Sequence, residues 1–395
     1  LLTILGQASL ATQSEEFNAQ ADIITLLSED ELADGWISLF DGHSLYGWKA
    51  VTTANWKVVN GEIHVSEGKP GLLRTTSQFD DFELTLEFKS DSRTNSGVFI
   101  RTSPSPKNPA VDCYEVNIAS PLVSEYSTGA LVGRAKTELK VEPNTWHRFR
   151  IRCDGERIQV WIDDQKAVEY VDPKPLGRGY IGLQLNSGKI AFRDISLKPI
   201  NTEALFDGTN LSQWKTDQKL KSKFEITEQN EIQILGGKGQ IESKKLFGDF
   251  VFSMQCKTNE KGLNSGVFYR CIPGDLMNGY ESQIQNQFKN GKRTDPVDTG
   301  TGGIFRRSQA RRINSNDNQW FTKTIIATGP HVSVWVNGYQ VTDWTDNRSK
   351  NPNPRKGLRL QKGSLIFQGH DPTTNILLKN IRAKELSARQ PVRSK

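Results

Sequence analysis

Apart from an apolar N-terminal stretch, none of the 395 residues form an apolar run approaching the length of a membrane-spanning helix, so no transmembrane segment is expected. Few segments repeat apolar residues at helical spacing, which argues against a helical fold. There is no Gly-Lys-Ser/Thr phosphate loop and no glycine fingerprint in a strand-to-helix setting, so nucleotide chemistry has no support. His-x-x-x-His pairs and EF-hand loops are missing too. Asp295, Asp298 and Asp317 offer carboxylates to a divalent cation such as calcium, a kind of site that leaves no signature in spacing. The four cysteines, Cys113, Cys153, Cys256 and Cys271, are not spaced for zinc. Cys256 and Cys271 flank a strand pair and are the better candidates for a bridge, with buried free thiols as the alternative. Nor does one sign of charge dominate, because 51 basic and 45 acidic residues are interspersed for a net charge of +6. With no zinc finger, basic zipper arm or RNA-binding aromatic motif, nucleic acid is not the expected partner. The densest basic cluster, Arg306, Arg307, Arg311 and Arg312, reads as a solvated loop or the rim of a polar ligand site.

What the sequence does contain, it contains twice. Leu39-Phe40-Asp41-Gly42-His43-Ser44-Leu45-Tyr46-Gly47-Trp48 returns as Leu205-Phe206-Asp207-Gly208-Thr209-Asn210-Leu211-Ser212-Gln213-Trp214. Asn95-Ser96-Gly97-Val98-Phe99-Ile100-Arg101 returns as Asn264-Ser265-Gly266-Val267-Phe268-Tyr269-Arg270. A period of about 170 residues is the size of a domain, not of a solenoid repeat. The expected organisation is therefore a leader and connector over residues 1–30, a first domain over 35–199 and a second over 204–386. The intervening linker is short enough to favour packed domains. Leu1 to Ala11, apolar and uncharged, reads as the end of a signal peptide, which implies an exported protein, periplasmic, cell-surface or extracellular.

Within each copy, period-two alternation dominates. Phe82, Leu84, Leu86 and Phe88 alternate with polar residues, as do Phe250, Phe252, Met254 and Cys256. Turn signals at Asp154-Gly155 and Asn337-Gly338 close hairpins. Many short strands joined by tight turns predict an all-β fold of two tandem β-sandwiches or jelly rolls, with an up-and-down barrel as the alternative. The Asp-Gly turns read as strand caps, with Asp41 and Asp207 bonding their own backbone and Trp48 and Trp214 in the core. Tyr339 and Trp344 lack a clear place in a sandwich and are candidates for stacking on a sugar.

Four motifs recur in order: Leu-Phe-Asp-Gly-x-x-Leu-x-x-Trp, Asn-Ser-Gly-Val-Phe-x-Arg, a Tyr-Glu strand and a closing Ile-Arg-x-Lys-Glu-Leu. Together they resemble the 3-keto-disaccharide hydrolase domain family, formerly a domain of unknown function, over nearly all of residues 35–386. The resemblance implies a concanavalin A-like or laminin G-like jelly roll and a bacterial protein of carbohydrate metabolism whose partner is a saccharide or glycoside. It also implies that the Tyr-Glu strand lies in the active cleft, with Glu281, and Glu115 in the first copy, as acid/base candidates.

Beside that strand, Gln283 and Gln285 share a face with Glu281, as polar residues do both in saccharide clefts and on any solvated sheet. Tyr280, Gln283, Gln368 and Asp298 in the second copy, and Tyr114, Glu115 and Arg134 in the first, are the candidate substrate-binding residues. His370 stands where the first copy has Asn186. Histidine can move a proton near neutral pH and asparagine cannot, so His370 joins Glu281 as a catalytic candidate. Arg307 is the candidate for polarising a carbonyl, with surface ion pairing as the other reading of both Arg307 and Arg134. Gly302-Gly303 permits close approach of backbone to a ligand or to a neighbouring strand. The expected activity is cleavage of 3-keto-glycosides by the second domain. The alternatives are a non-catalytic tandem of carbohydrate-binding domains and a purely structural tandem.

Overall fold

The computed structural model describes residues 22–217 and 219–389, so the expected signal-peptide segment Leu1 to Ala11 lies outside the described residues. Among the described residues helix is confined to two short pieces, Glu29–Ala33 and Pro109–Asp112. Ser28 opens the first with a capping box, its hydroxyl accepting from Glu31 N–H while Glu31 returns to the Ser28 backbone. No helix among the described residues is long and apolar enough to cross a membrane.

Each copy folds as a β-sandwich of an eight-stranded and a five-stranded antiparallel sheet. In the second copy the five-stranded sheet runs Trp214–Thr216, Gly239–Ser243, Ser364–Gly369, Ser265–Cys271 and Tyr280–Ile284 in spatial order. Its counterpart in the first copy runs Trp48–Ala50, Gly71–Thr75, Tyr180–Leu185, Asn95–Thr102 and Tyr114–Ala119, the same order strand for strand. The alternating residues do what their period requires: Phe82, Leu84, Leu86 and Phe88 are fully buried between the sheets. The Asn337-Gly338 hairpin has φ of 48° and 70°, the paired left-handed geometry that a two-residue turn needs.

The repeated motifs are explained by structure. Asp41 and Asp207 each accept two backbone N–H groups of their own turn, and Trp48 and Trp214 donate from the indole to Leu39 O and Leu205 O. The buried arginine that ends the Asn-Ser-Gly motif ties strand ends together. Arg101 donates to Asp80 O, Gly155 O and Asp81, while Arg270 donates to Gly248 O, Gly329 O and Asp249.

All four cysteines are buried free thiols. A Cys256–Cys271 bridge is ruled out because the five-stranded sheet, which carries Cys271, separates it from Cys256 on the eight-stranded sheet. Cys256 belongs to the core between the sheets, and Cys271 to a small outer cluster with Phe268, Met277 and Ile366.

The domains are packed together. Val251, Ile326, Trp335 and Leu386 of the second domain join the apolar cluster of the first, and the Trp335 indole donates to Ser38 O. Arg311 lies between the rings of Tyr46 and Tyr339 and bonds Asp41 at 2.9 Å across the boundary. Each arginine–aspartate tie is also reached by a cation of the other domain: Lys384 meets Asp81, and Arg178 meets Asp249.

Candidate functional site

On the strand Tyr280–Ile284, successive side chains face opposite ways. Tyr280 and Ile284 enter the core, and Glu281 faces outward. Glu281 lies opposite Phe268 in the register, next to the Gly266–Gln283 pair. A side chain at Gly266 would fall 2.6 Å from the Glu281 carboxylate oxygen. The glycine of the Asn-Ser-Gly motif thus leaves room for the acid of the Tyr-Glu motif, and two separate repeats become one feature. Gly97 does the same for Glu115, with the carboxylate 3.2 Å from where a Cβ would stand.

Glu281 is half-buried at the wall of a cleft of about 110 Å³, lined also by Phe305, Arg306, Arg307, Pro354 and Arg355. That volume is below the several hundred Å³ of a typical small-molecule pocket, so it takes one edge or substituent of a sugar. Burial pushes the Glu281 carboxyl up to about 7. Lys323, Arg355 and Arg306 pull it back, and Asp298 adds to the rise. A carboxyl that titrates near neutrality, at a cleft, is suited to give or take a proton there. Glu115 is likewise raised to about 7 by burial, eased by a hydrogen bond from Gln184, but it is only 5% exposed. Another hollow, of about 40 Å³ by Leu32, Asp34, Pro199 and Met254, lies on the domain seam.

Beneath the Glu281 strand lies a residue that sequence reasoning missed. Lys323 is fully buried on the inward face of the strand Phe321–Thr328, its ammonium donating to Ser282 O at 2.7 Å and Gln283 O at 2.8 Å. Burial draws its pKa far below the ordinary lysine value. Lys323 pairs with Met254 in the register, and the equivalent partner of Leu86 in the first domain is Phe149. The signal was a lysine at an apolar position of an alternating strand.

The other candidates are not all brought together. Arg307 lines the Glu281 cleft, but His370 does not. Glu281 pairs with Phe268 and Phe268 with Ile366, so His370 lies two strands away and four residues farther along, roughly 16 Å distant. Its ring is exposed and meets Asp371 at 3.2 Å, so the expected Glu281–His370 constellation is not formed.

Tyr280 and Tyr114 have buried side chains whose hydroxyls bond Asp346 and Asp172, and Tyr280 also lines the Glu281 cleft. Gln283 is fully buried and bonded to Asn264, Asp298 and the Thr299 N–H. Asp298, exposed, accepts a hydrogen bond from the Gln283 amide. Gln368 is buried against Met277 Sδ. Arg134 stacks on Tyr114 and donates to Cys113 O and Pro109 O.

Tyr339 is buried and Trp344 packs edge-on against Tyr280, so neither is free to stack on a sugar. The arginine cluster splits three ways. Arg306 and Arg307 stay at the cleft, Arg311 holds the domain seam, and Arg312 donates to Asp22 O. The close approach allowed by Gly302-Gly303 is to the protein's own Val341 and Thr299. Asp317 accepts hydrogen bonds from Thr258, Gly262, Asn286 and Gln287. Among the described residues no three His, Cys, Asp or Glu side chains group as a metal site would require.

Two stretches, residues 35–198 and 201–384, match the family model described as a 3-keto-alpha-glucoside-1,2-lyase-like domain. A 3-keto-disaccharide hydrolase of Bacteroides thetaiotaomicron is 32% identical over 79 residues, 17% of this chain and 27% of that protein's own length. Two solved structures of candidate glycosyl hydrolases from Parabacteroides distasonis are also similar. One is 20% identical with a TM-score of 0.39, covering 44% of this chain and 98% of that one. The other is 23% identical with a TM-score of 0.37, covering 47% and 100%.

Proposed function

Because the chain belongs to the 3-keto-alpha-glucoside-1,2-lyase-like domain family, we propose that its second domain cleaves 3-keto-glycosides, with Glu281 as the proton-transfer group, on a concanavalin A-like jelly roll. The observation that carries this reading is the Glu281 carboxyl, held near neutrality by burial yet open to a cleft lined by arginines.

The ketone at C3 acidifies the proton on C2. The Glu281 carboxylate takes that proton, and the bonding pair moves toward the ketone oxygen as an enediolate, which Arg307 stabilises. The pair then returns to form the C1–C2 double bond as the C1–O bond breaks and the departing oxygen is protonated. Water adding across the double bond gives net hydrolysis. The polar cleft supplies one carboxyl and cations, the parts that elimination requires. Two-carboxylate hydrolysis would set a second acid across the bond, and Asp298, whose charge acts on Glu281, is engaged by Gln283. The first domain, with Glu115 almost fully covered, supports its sister rather than sharing turnover.

The test is release of reducing sugar and aglycone from 3-keto-glycosides beside the unoxidised glycosides. Turnover of the 3-keto substrates alone, lost in Glu281→Gln, is expected. Binding of either class without turnover would leave a carbohydrate-binding tandem instead.

A further inference from the structure

We infer that the second domain is built for a glycoside bearing an anionic substituent, a carboxylate or a sulfate ester, seated between Arg306 and Arg355. This rests on the reading of the Glu281 cleft as the saccharide site.

The three guanidiniums line one small cleft, and no ion pair joins any of them to a carboxylate among the described residues. Their contacts are neutral. Arg307 donates to Arg355 O and Arg306 O, Arg355 donates to Met277 O, and Arg306 lies 5.1 Å from the Phe305 ring centre. Nearby Arg348 makes the contrast, since Asp346 satisfies it with two oxygens. Elimination needs one cation at the enediolate oxygen. Two more remain, and even with Glu281 and Asp298 both ionised the cleft keeps an excess of positive charge. A planar guanidinium with open N–H groups is the side chain suited to oxyanions.

The excess charge arrived with the open cleft. Arg306 replaces Gly133 of the first domain. Arg355 sits on a segment that has no counterpart there. Both domains anchor this region in the same way: a tyrosine hydroxyl bonds an aspartate at the start, Asp172 or Asp346, and a backbone N–H at the end, Leu176 or Arg359. Between those anchors, inclusive, the first domain has five residues, 172–176, and the second has fourteen, 346–359. The extra length brings Arg348, Pro354 and Arg355, two of which line the cleft.

The full chain would be assayed on a 3-keto-glucuronide, a 6-sulfated 3-keto-glucoside and the neutral 3-keto-glucoside. A kcat/KM at least about tenfold higher on one or both anionic substrates is expected, from one or two charge-assisted hydrogen bonds. The ratio should fall toward one in an Arg306→Gln/Arg355→Gln double variant and shrink as salt is raised. The uronate and sulfate arms tell which oxyanion is preferred. Equal kcat/KM on all three, with neutral substrate still cleaved in a Glu281-dependent way, would overturn the anionic inference and leave the proposed reaction standing. If nothing is cleaved, calorimetric titration with the unoxidised glucuronide, sulfated glucoside and glucoside decides the matter separately. Tighter anionic binding that is lost in the double variant upholds the inference, and equal binding or none sinks it.

Discussion

The two domains share strand order, turn chemistry and buried arginine ties, yet differ where chemistry would occur. In the first, Glu115 is covered, Val116 and Phe149 belong to one apolar core, and the segment between the tyrosine's two anchors has five residues. In the second, the equivalents are a half-buried Glu281 at the cleft wall, Ser282 beside the ammonium of Lys323, and a fourteen-residue segment carrying Arg355. A scaffold that is indifferent to these changes can hold both versions, because the interactions that fix the fold lie elsewhere. Whether a carboxyl with a raised pKa is useful depends on access: both domains raise one, and only one domain opens it.

The contrast can be broken most directly at the carboxyls. Glu281→Gln is expected to lower kcat/KM on a 3-keto-glycoside by about 10²- to 10⁴-fold, and Glu115→Gln by less than about twofold. In the wild type kcat/KM should rise as pH passes upward through about 7, because the base must be ionised. Comparable losses in both variants would erase the distinction between the domains.

Lys323 gives the next largest effect. Folding lowers its proton affinity, so the unfolded chain binds an additional proton between about 7 and the ordinary value of 10.5. Stability should therefore rise with pH across that window, by up to about 1.4 kcal/mol per pH unit, and Lys323→Met should flatten the rise. Urea midpoints at several pH values would show it. A slope unchanged by the substitution would mean the ammonium is not buried as described.

Arg311→Ala removes the ion pair and both ring contacts at the seam and should cost about 2 kcal/mol, read from the urea midpoint. His370→Ala should change kcat/KM by less than about twofold. A loss of tenfold or more there would return His370 to the site.

Much of this was legible in the sequence. Period-two alternation gave the strands, the repeat gave the tandem, and Glu281 stood out in the Tyr-Glu strand. His370 misled because aligning two copies reveals which residues differ, not how far apart strand order places them. Arg355 was hidden in a length difference between the copies, and spacing alone does not say where an insertion folds. Gln283 followed the right face pattern, but its side chain was already spoken for by Asn264 and Asp298.

The packed seam has a consequence for anyone wishing to isolate the second domain. Cutting the chain between the repeats would expose Trp335, Val251, Ile326 and Leu386 to water and leave Arg311 without Asp41. The fragment would carry every residue of the cleft and still be prone to aggregate. The first domain can thus lack an open site and still be indispensable, acting as a permanently attached solubility partner.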